Sequence, residues 1–419
     1  MFKRYKVRAL VSFATLLIGC RLAFGAGYFN KINNLTPGEI SIVAAGAVPE
    51  GFQASRQTYQ DLVDCGFNIG TGTGSVDYFR RQFELIGDLN FKYIISNGYL
   101  YSDARKSLIS ALSDSPYLAA WNFKDEPLYK ALPELKAQYD ALRKDDPGKL
   151  LYMNLVGIVN LDFAGPCKTF GEYLDLIQAT FAPELWSYDF YPIITRGGKT
   201  ICETDAFYYA LESYREISRK TSRPFWAFCE SMAYTAKSYS RPAATENYLR
   251  YEAFNALAYG AQGIVYWTYG MRKSNDFETY LSSLVDFNGK KSKAWYAAQK
   301  VNREIKRFNR VFYGCNVVDV KHLGKNLYKG TRRLSGAIGP VKMLRCGDSG
   351  VVVSYIENNG DRYVVVVNRD VFAKTKVAIE LNVNKNLKDI TSSRMPVYNW
   401  RQDITFTLEK GGYKIFKEM

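Results

Sequence analysis

Eight short apolar runs punctuate the chain between residues 39 and 270. They lie at 39–46, 67–74, 91–98, 118–126, 150–157, 185–193, 224–230 and 263–270. Between them come stretches with helical spacing, among them 56–65, 76–85, 103–112, 134–143 and 245–259, and a last one follows at 294–308. Apolar strands that alternate with helices argue for a parallel sheet, and eight of them argue for a sheet closed as a (β/α)8 TIM barrel. An open, doubly wound sheet is the rival. Its phosphate loop would be Gly70-Thr71-Gly72-Thr73-Gly74, but that spacing is not G-x-G-x-x-G, and no acid closes a suitable following strand.

Near Arg310 the pattern changes to period two, at 351–355, 363–367, 377–381, 404–408 and 413–416. Asn358-Asn359-Gly360-Asp361 reads as a hairpin turn between two of these strands. The expected organisation is an export segment at 1–26, a barrel at 27–309 and a small antiparallel β-sandwich at 310–419.

The export segment rests on its own residues. Lys3, Arg4, Lys6 and Arg8 precede an apolar core too short to span a bilayer. Leu17-Ile18-Gly19-Cys20 then resembles a bacterial lipobox, in which the cysteine is lipidated and becomes the new N-terminus. Cleavage after Ala23-Phe24-Gly25 is the alternative. Either way the chain is expected outside the cytoplasm, as a cell-envelope lipoprotein or a periplasmic or secreted protein. An oxidising compartment permits disulfides, and Cys167 with Cys202, and Cys315 with Cys346, are candidate pairs. Cys65 and Cys229 read as buried and free.

Composition removes several chemistries. There is one histidine, His322, so a Ser-His-Asp or Cys-His unit and a histidine-rich zinc site are excluded. Lying among Lys321 and Lys325, it is expected at the surface. No metal and no cofactor is called for. The net charge is +15, or +11 once the four basic residues ahead of Cys20 are removed. That balance favours anionic partners such as acidic glycans, cell-surface polymers or membrane headgroups. The basic residues are scattered, which speaks against nucleic acid. The chain has 32 tyrosines, 25 phenylalanines and 6 tryptophans; rings of this kind build cores and also stack on sugar faces.

Two runs end on acids. Leu118-Ala119-Ala120-Trp121 leads to Asp125-Glu126-Pro127, where the proline stops the ladder. Pro224-Phe225-Trp226-Ala227-Phe228-Cys229 leads to Glu230. These are strands four and seven. A barrel's active site lies at the C-terminal ends of its strands, so Glu126 and Glu230 would face one another across the mouth. Facing carboxyls suit glycosidic cleavage, where one protonates the leaving oxygen and the other attacks or activates water. Asn97, Asn154 and Asp189, at or near the ends of strands three, five and six, are candidates for sugar hydroxyl contacts.

Glutamates closing strands four and seven resemble the clan A glycoside hydrolases. The run from Trp295 through Val301-Asn302-Arg303-Glu304-Ile305 is similar to the last barrel helix of β-galactosidase-like members. Leu408-Glu409-Lys410-Gly411-Gly412-Tyr413 closes a segment that looks like their accessory sandwich. The resemblance implies a retaining hydrolysis of β-linked glycans, with Glu126 as acid/base, Glu230 as nucleophile, Trp267 flooring the first sugar subsite and Tyr191 donating a hydrogen bond to Glu230. The clan's usual asparagine before the acid/base is here Asp125, a substrate-binding candidate whose charge would raise the pKa of Glu126. Glu126 is therefore expected to hold its proton more tightly than Glu230. The competing expectation is a surface lipoprotein with a glycosidase-like barrel that binds glycans without cleaving them, and a third is a structural or adhesion lipoprotein with no sugar-sized cleft. No oligomeric state follows from the sequence.

Overall fold

The computed structural model describes residues 35–96, 98–102, 104–157 and 165–419. The export segment with Cys20, and the candidate Asn97, lie outside the described residues. Eight parallel strands close into a barrel: β1 (Ser41–Ala44), β2 (Ile69–Thr73), β3 (Lys92–Ser96), β4 (Leu118–Asp125), β5 (Leu150–Val156), β6 (Trp186–Asp189), β7 (Phe225–Glu230) and β8 (Gly263–Trp267). Each strand is followed by a helix: α1 (Arg56–Asp64), α2 (Val76–Ile86), α3 (Arg105–Leu112), α4 (Leu132–Asp145), α5 (Phe170–Phe181), α6 (Thr204–Thr221), α7 (Glu246–Ala258) and α8 (Lys293–Arg307). Pairing of β1 with β8, Ser41 opposite Gly263 through Ala44 opposite Tyr266, closes the ring and rules out the open sheet.

The strands read as continuous apolar runs because both faces are buried. Val43, Ile69, Ile94, Ala120, Leu150, Trp226 and Val265 fill the barrel. Their neighbours Ile42, Tyr93, Trp121, Leu151, Cys229 and Tyr266 face the helices.

The run at 185–193 is not one strand. β6 stops at Asp189, Pro192 interrupts the ladder, and a separate strand, Ile193–Arg196, pairs with Lys199–Cys202 across Gly197 and Gly198. Both glycines have positive φ, as a tight hairpin demands. This hairpin belongs to a five-stranded antiparallel sheet completed by Ser240–Arg241, Ala233–Ala236 and Glu278–Ser282. The loops after β6, β7 and β8 thus form a second sheet above the mouth.

Behind the barrel the chain forms a six-stranded and a three-stranded antiparallel sheet. Val353, Val364, Val366, Ile379, Ile404 and Phe416 pack between them. The opposite face of the larger sheet, with Val352, Val365, Val367 and Ile415, merges with the barrel core, and Tyr413 stacks on Phe254 of α7 at 3.6 Å. Asn359 and Gly360 supply the positive φ values of the expected hairpin turn.

Two expectations fail here. His322 is fully buried: alternation along Asn316–Leu323 turns it inward with Val320, away from its lysine neighbour. Its Nε2 meets the Tyr259 hydroxyl at 2.6 Å, and burial, with Arg369 nearby, pulls its pKa down to about 3. Neither candidate disulfide forms; all six described cysteines are free. Cys202 donates to the Tyr251 hydroxyl at 3.7 Å and Cys315 accepts from Gln262 at 3.9 Å, so the thiols are engaged on separate elements. Among the described residues no helix is long and apolar enough to cross a membrane.

Candidate active site

Period two aims the site residues. On β7, Trp226 and Phe228 point into the barrel while Phe225, Ala227 and Cys229 face the helices, so Glu230 continues the inward series to the mouth. The same alternation turns Asn154 inward on β5, Ser187 and Asp189 on β6, and Trp267 on β8.

β4 departs from this rule. Trp121 and Phe123 face the helices, which by alternation would send Asp125 outward. A bulge intervenes: Asn122 pairs with Tyr152, but Lys124, not Phe123, pairs with Met153, and Asp125 with Asn154. One extra residue reverses which face each following side chain takes, and Asp125 swings over the mouth. Glu126 follows with φ of 42°, in the left-handed region, and its N–H donates to the Asn154 carbonyl at 2.9 Å. A non-glycine residue held in that region, ahead of a proline, is strained backbone of the kind that marks functional positions.

Asp125, Glu126, Asn154, Asp189, Tyr191 and Trp267 line one cleft of about 460 Å³, and the overlying sheet adds Tyr234, Tyr239, Arg241 and Glu278. The Asn154 amide donates to Asp125 at 3.0 Å and to Asp189 at 2.8 Å. Its oxygen accepts from Ser187 at 3.1 Å, and Ser187 meets the Tyr152 hydroxyl at 2.8 Å. Asn154 was expected to contact sugar hydroxyls, but both amide hydrogens are committed to the two aspartates, and it acts as the brace between them. Asp189 is likewise engaged by the Asn154 amide, and it feels the charge of Glu126. Burial first, then Glu126 and Asp125, push Asp189 well above the usual carboxylate range. Burial first, then Asp125, raises Glu126 as well.

Glu230 lies deeper, only 5% exposed, and is not part of the cleft lining. Its Oε1 accepts the Met232 N–H at 3.0 Å. Its Oε2 has no partner, so the hydrogen bond expected from Tyr191 is not made. Tyr191 is held differently: its carbonyl accepts from Arg241, whose guanidinium sits 5.7 Å from the tyrosine ring. Burial drives Glu230 well above its ordinary pKa, with Glu252 and Asp189 adding to the rise; Arg241 and the Met232 N–H oppose it. Burial thus raises both carboxyls, Glu230 inside the protein and Glu126 half-open to the cleft, where Asp125 adds to the rise. Trp267 keeps its place near Ala45 and Thr71 at the cleft, and the Arg272 guanidinium lies 5.1 Å from its ring.

Sequence reasoning missed two groups. Tyr234 and Arg241 arrive on loop strands of only four and two residues, and Tyr239 on the turn between them, too short to leave a pattern. Glu252 is 1% exposed on α7, and its Oε2 accepts the Glu230 N–H at 2.8 Å. An acid within the otherwise apolar stripe of Leu249, Ala253, Ala256 and Leu257 was the available signal. Among the described residues no group of His, Cys, Asp and Glu is placed to hold a metal.

Comparison with known proteins agrees with this geometry. Residues 110–308 match the Glyco_hydro_42 family model, described as beta-galactosidase. No curated protein sequence matches. Among solved structures, a beta-galactosidase from Bacillus circulans sp. alkalophilus superposes with a TM-score of 0.60 at 9% identity, covering 91% of this chain and 99% of that one. A catalytic mutant of Gan42B, a GH42 beta-galactosidase from G. stearothermophilus, gives 0.58 at 9%, covering 92% and 99%. A putative alpha-galactosidase from Bacteroides fragilis gives 0.51 at 9%, covering 92% and 80%. At such identities the structures speak for the fold. The family model lies on the segment that carries β4 to β8, and the chain shares with these solved structures the fold of a (β/α)8 barrel with a β-domain behind it; in both respects it is similar to the GH42 beta-galactosidases.

Proposed function

We propose that the chain is an exported retaining glycosidase acting on β-linked glycans, with Glu126 as acid/base and Glu230 as nucleophile. One observation carries the reading: the carboxyls that end β4 and β7 both belong to the barrel mouth, Glu126 half-open and raised in pKa, Glu230 buried beside the cleft. Glu126 then protonates the leaving oxygen, and burial, with the charge of Asp125, holds its proton affinity high. Glu230 attacks the anomeric carbon, and Arg241 favours its anionic form. Retention requires carboxyls about 5–5.5 Å apart in the working complex. Trp267 is the stacking platform for the sugar. The cleft lining holds four carboxyls, Asp125, Glu126, Asp189 and Glu278, against the single guanidinium of Arg241. In this reading the sugars flanking the cleaved bond are neutral, and any acidic polymer is gathered by cations outside the cleft.

Activity on a panel of aryl β-glycosides and polysaccharides tests the reading. The Glu230→Gly variant should be inactive, and azide should restore turnover with inverted product. The Glu126→Ala variant should spare substrates with good leaving groups, which need no proton. If neither change alters the rate, the assignment is wrong. The burial of Glu230 away from the lining favours one rival, a barrel that binds glycans without cleaving them. That rival predicts unchanged affinity and no turnover in the native chain. Export belongs to the same proposal: mass spectrometry should find a mature chain beginning at lipidated Cys20, and one beginning at Ala26 would refute the lipid anchor.

A further inference from the structure

The end of the barrel opposite the mouth carries a second site. Arg215 and Arg219 are one helical turn apart on α6, and Arg223 follows just past its end. All three line a cavity of about 340 Å³ between α6, the start of β7 and the first strand of the C-terminal domain.

Arg215 is the informative residue. It is 5% exposed, and its one hydrogen bond is a 3.4 Å contact from Nη2 to the Val317 carbonyl. Its Nε has no partner. Among the described residues neither Arg215 nor Arg219 joins an ion pair. Glu212 is the acid that favours the charge, yet its own carboxyl is pushed up by burial and accepts from the Tyr259 hydroxyl at 3.1 Å. Arg219 and Arg332 repel the guanidinium, and burial lowers its pKa. An uncompensated buried charge is expensive.

Helix capping does not account for the arginines. Cations near a helix C-terminus ordinarily bind its last carbonyls. Here backbone N–H groups take the Ser218 and Arg219 carbonyls, from Arg223 and Ser222, and among the described residues neither Arg215 nor Arg219 donates to a carbonyl of the last turn. The guanidiniums of Arg215 and Arg219 are left for another partner.

We propose that this cavity binds an oxyanion, the phosphate or sulfate group of a free ion or of an ester, held by Arg215 and Arg219. A guanidinium presents paired N–H donors that match two oxygens of such a group. The cavity lies at the junction of barrel and β-domain, so a bound oxyanion ties Arg215, already linked to Val317, more firmly across that junction. This inference does not depend on the reaction at the mouth.

Calorimetric titration of the full chain with inorganic phosphate, with sulfate and with dextran sulfate, at ionic strength matched by sodium chloride, tests it. The expected result is saturable binding at one site per chain, weakened about tenfold or more by Arg219→Gln and by Arg215→Met. The exposed Arg219 makes its variant safe for folding, so the test stands even if Arg215→Met does not fold. Binding of the free ions that is lost in the variants supports the site with a free-ion ligand. Binding of dextran sulfate alone, lost in the variants, supports it with an ester ligand. No saturable binding, or binding that Arg219→Gln leaves unchanged, overturns the proposal.

Discussion

Replacing Glu252 by glutamine should make this protein more stable in base and less stable in acid. The carboxyl is 1% exposed, and burial lifts its pKa from the ordinary 4.5 to about 8, against the opposing pull of the Glu230 N–H and Arg241. Glu230, Cys229 and Cys202 are the titratable groups that feel its charge, along with Tyr266. A carboxyl whose folded pKa lies above its unfolded value binds its proton more tightly in the native state. Its contribution is complete below the unfolded value and is lost as pH rises through the folded one, here between 4.5 and about 8. At about 1.36 kcal/mol per pH unit, that loss is of the order of 5 kcal/mol. Glutamine keeps an oxygen for the Glu230 N–H, does not titrate, and buries an NH2 group at a pH-independent cost of about 1–3 kcal/mol. Urea unfolding of both proteins from pH 4.5 to 9 should give stability curves that cross, with the variant ahead at the alkaline end. Parallel curves would show that Glu252 is ionised throughout and that the burial argument is wrong.

Other expectations follow from the mouth. Asp125→Asn removes the like charge beside Glu126, so the alkaline limb of the rate profile, where the general acid is lost, should move to lower pH; an unmoved limb would deny Asp125 that influence. Arg241→Met removes a cation that holds down the pKa of Glu230, so the acid limb should move to higher pH, read from kcat/KM. Trp267→Ala should raise KM, by about tenfold if one sugar face stacks on the ring at roughly 1–2 kcal/mol; an unchanged KM would place the sugar elsewhere.

The barrel was legible because each strand is buried on both faces, and an apolar run bounded by helices announces that burial. The acids at 126 and 230 were legible because each closes such a run. What the sequence concealed depends on parity and on short elements. The β4 bulge turns Asp125 inward with no glycine to mark it. The split after Asp189 was signalled by Pro192, yet the new strand continued the apolar run and hid the break. Tyr191 was assigned to Glu230 by family resemblance, but Arg241, arriving on a two-residue strand, holds it instead. His322 was misjudged from its lysine neighbours, whereas strand alternation buries it.

The central claim is double displacement at Glu126 and Glu230. The most direct test is proton NMR of the first sugar released from an aryl β-glycoside, followed before mutarotation scrambles it. The account predicts the β-anomer first, with the α-anomer growing later. Initial release of the α-anomer would mean that water attacks directly, and would contradict the assignment of Glu230 as nucleophile.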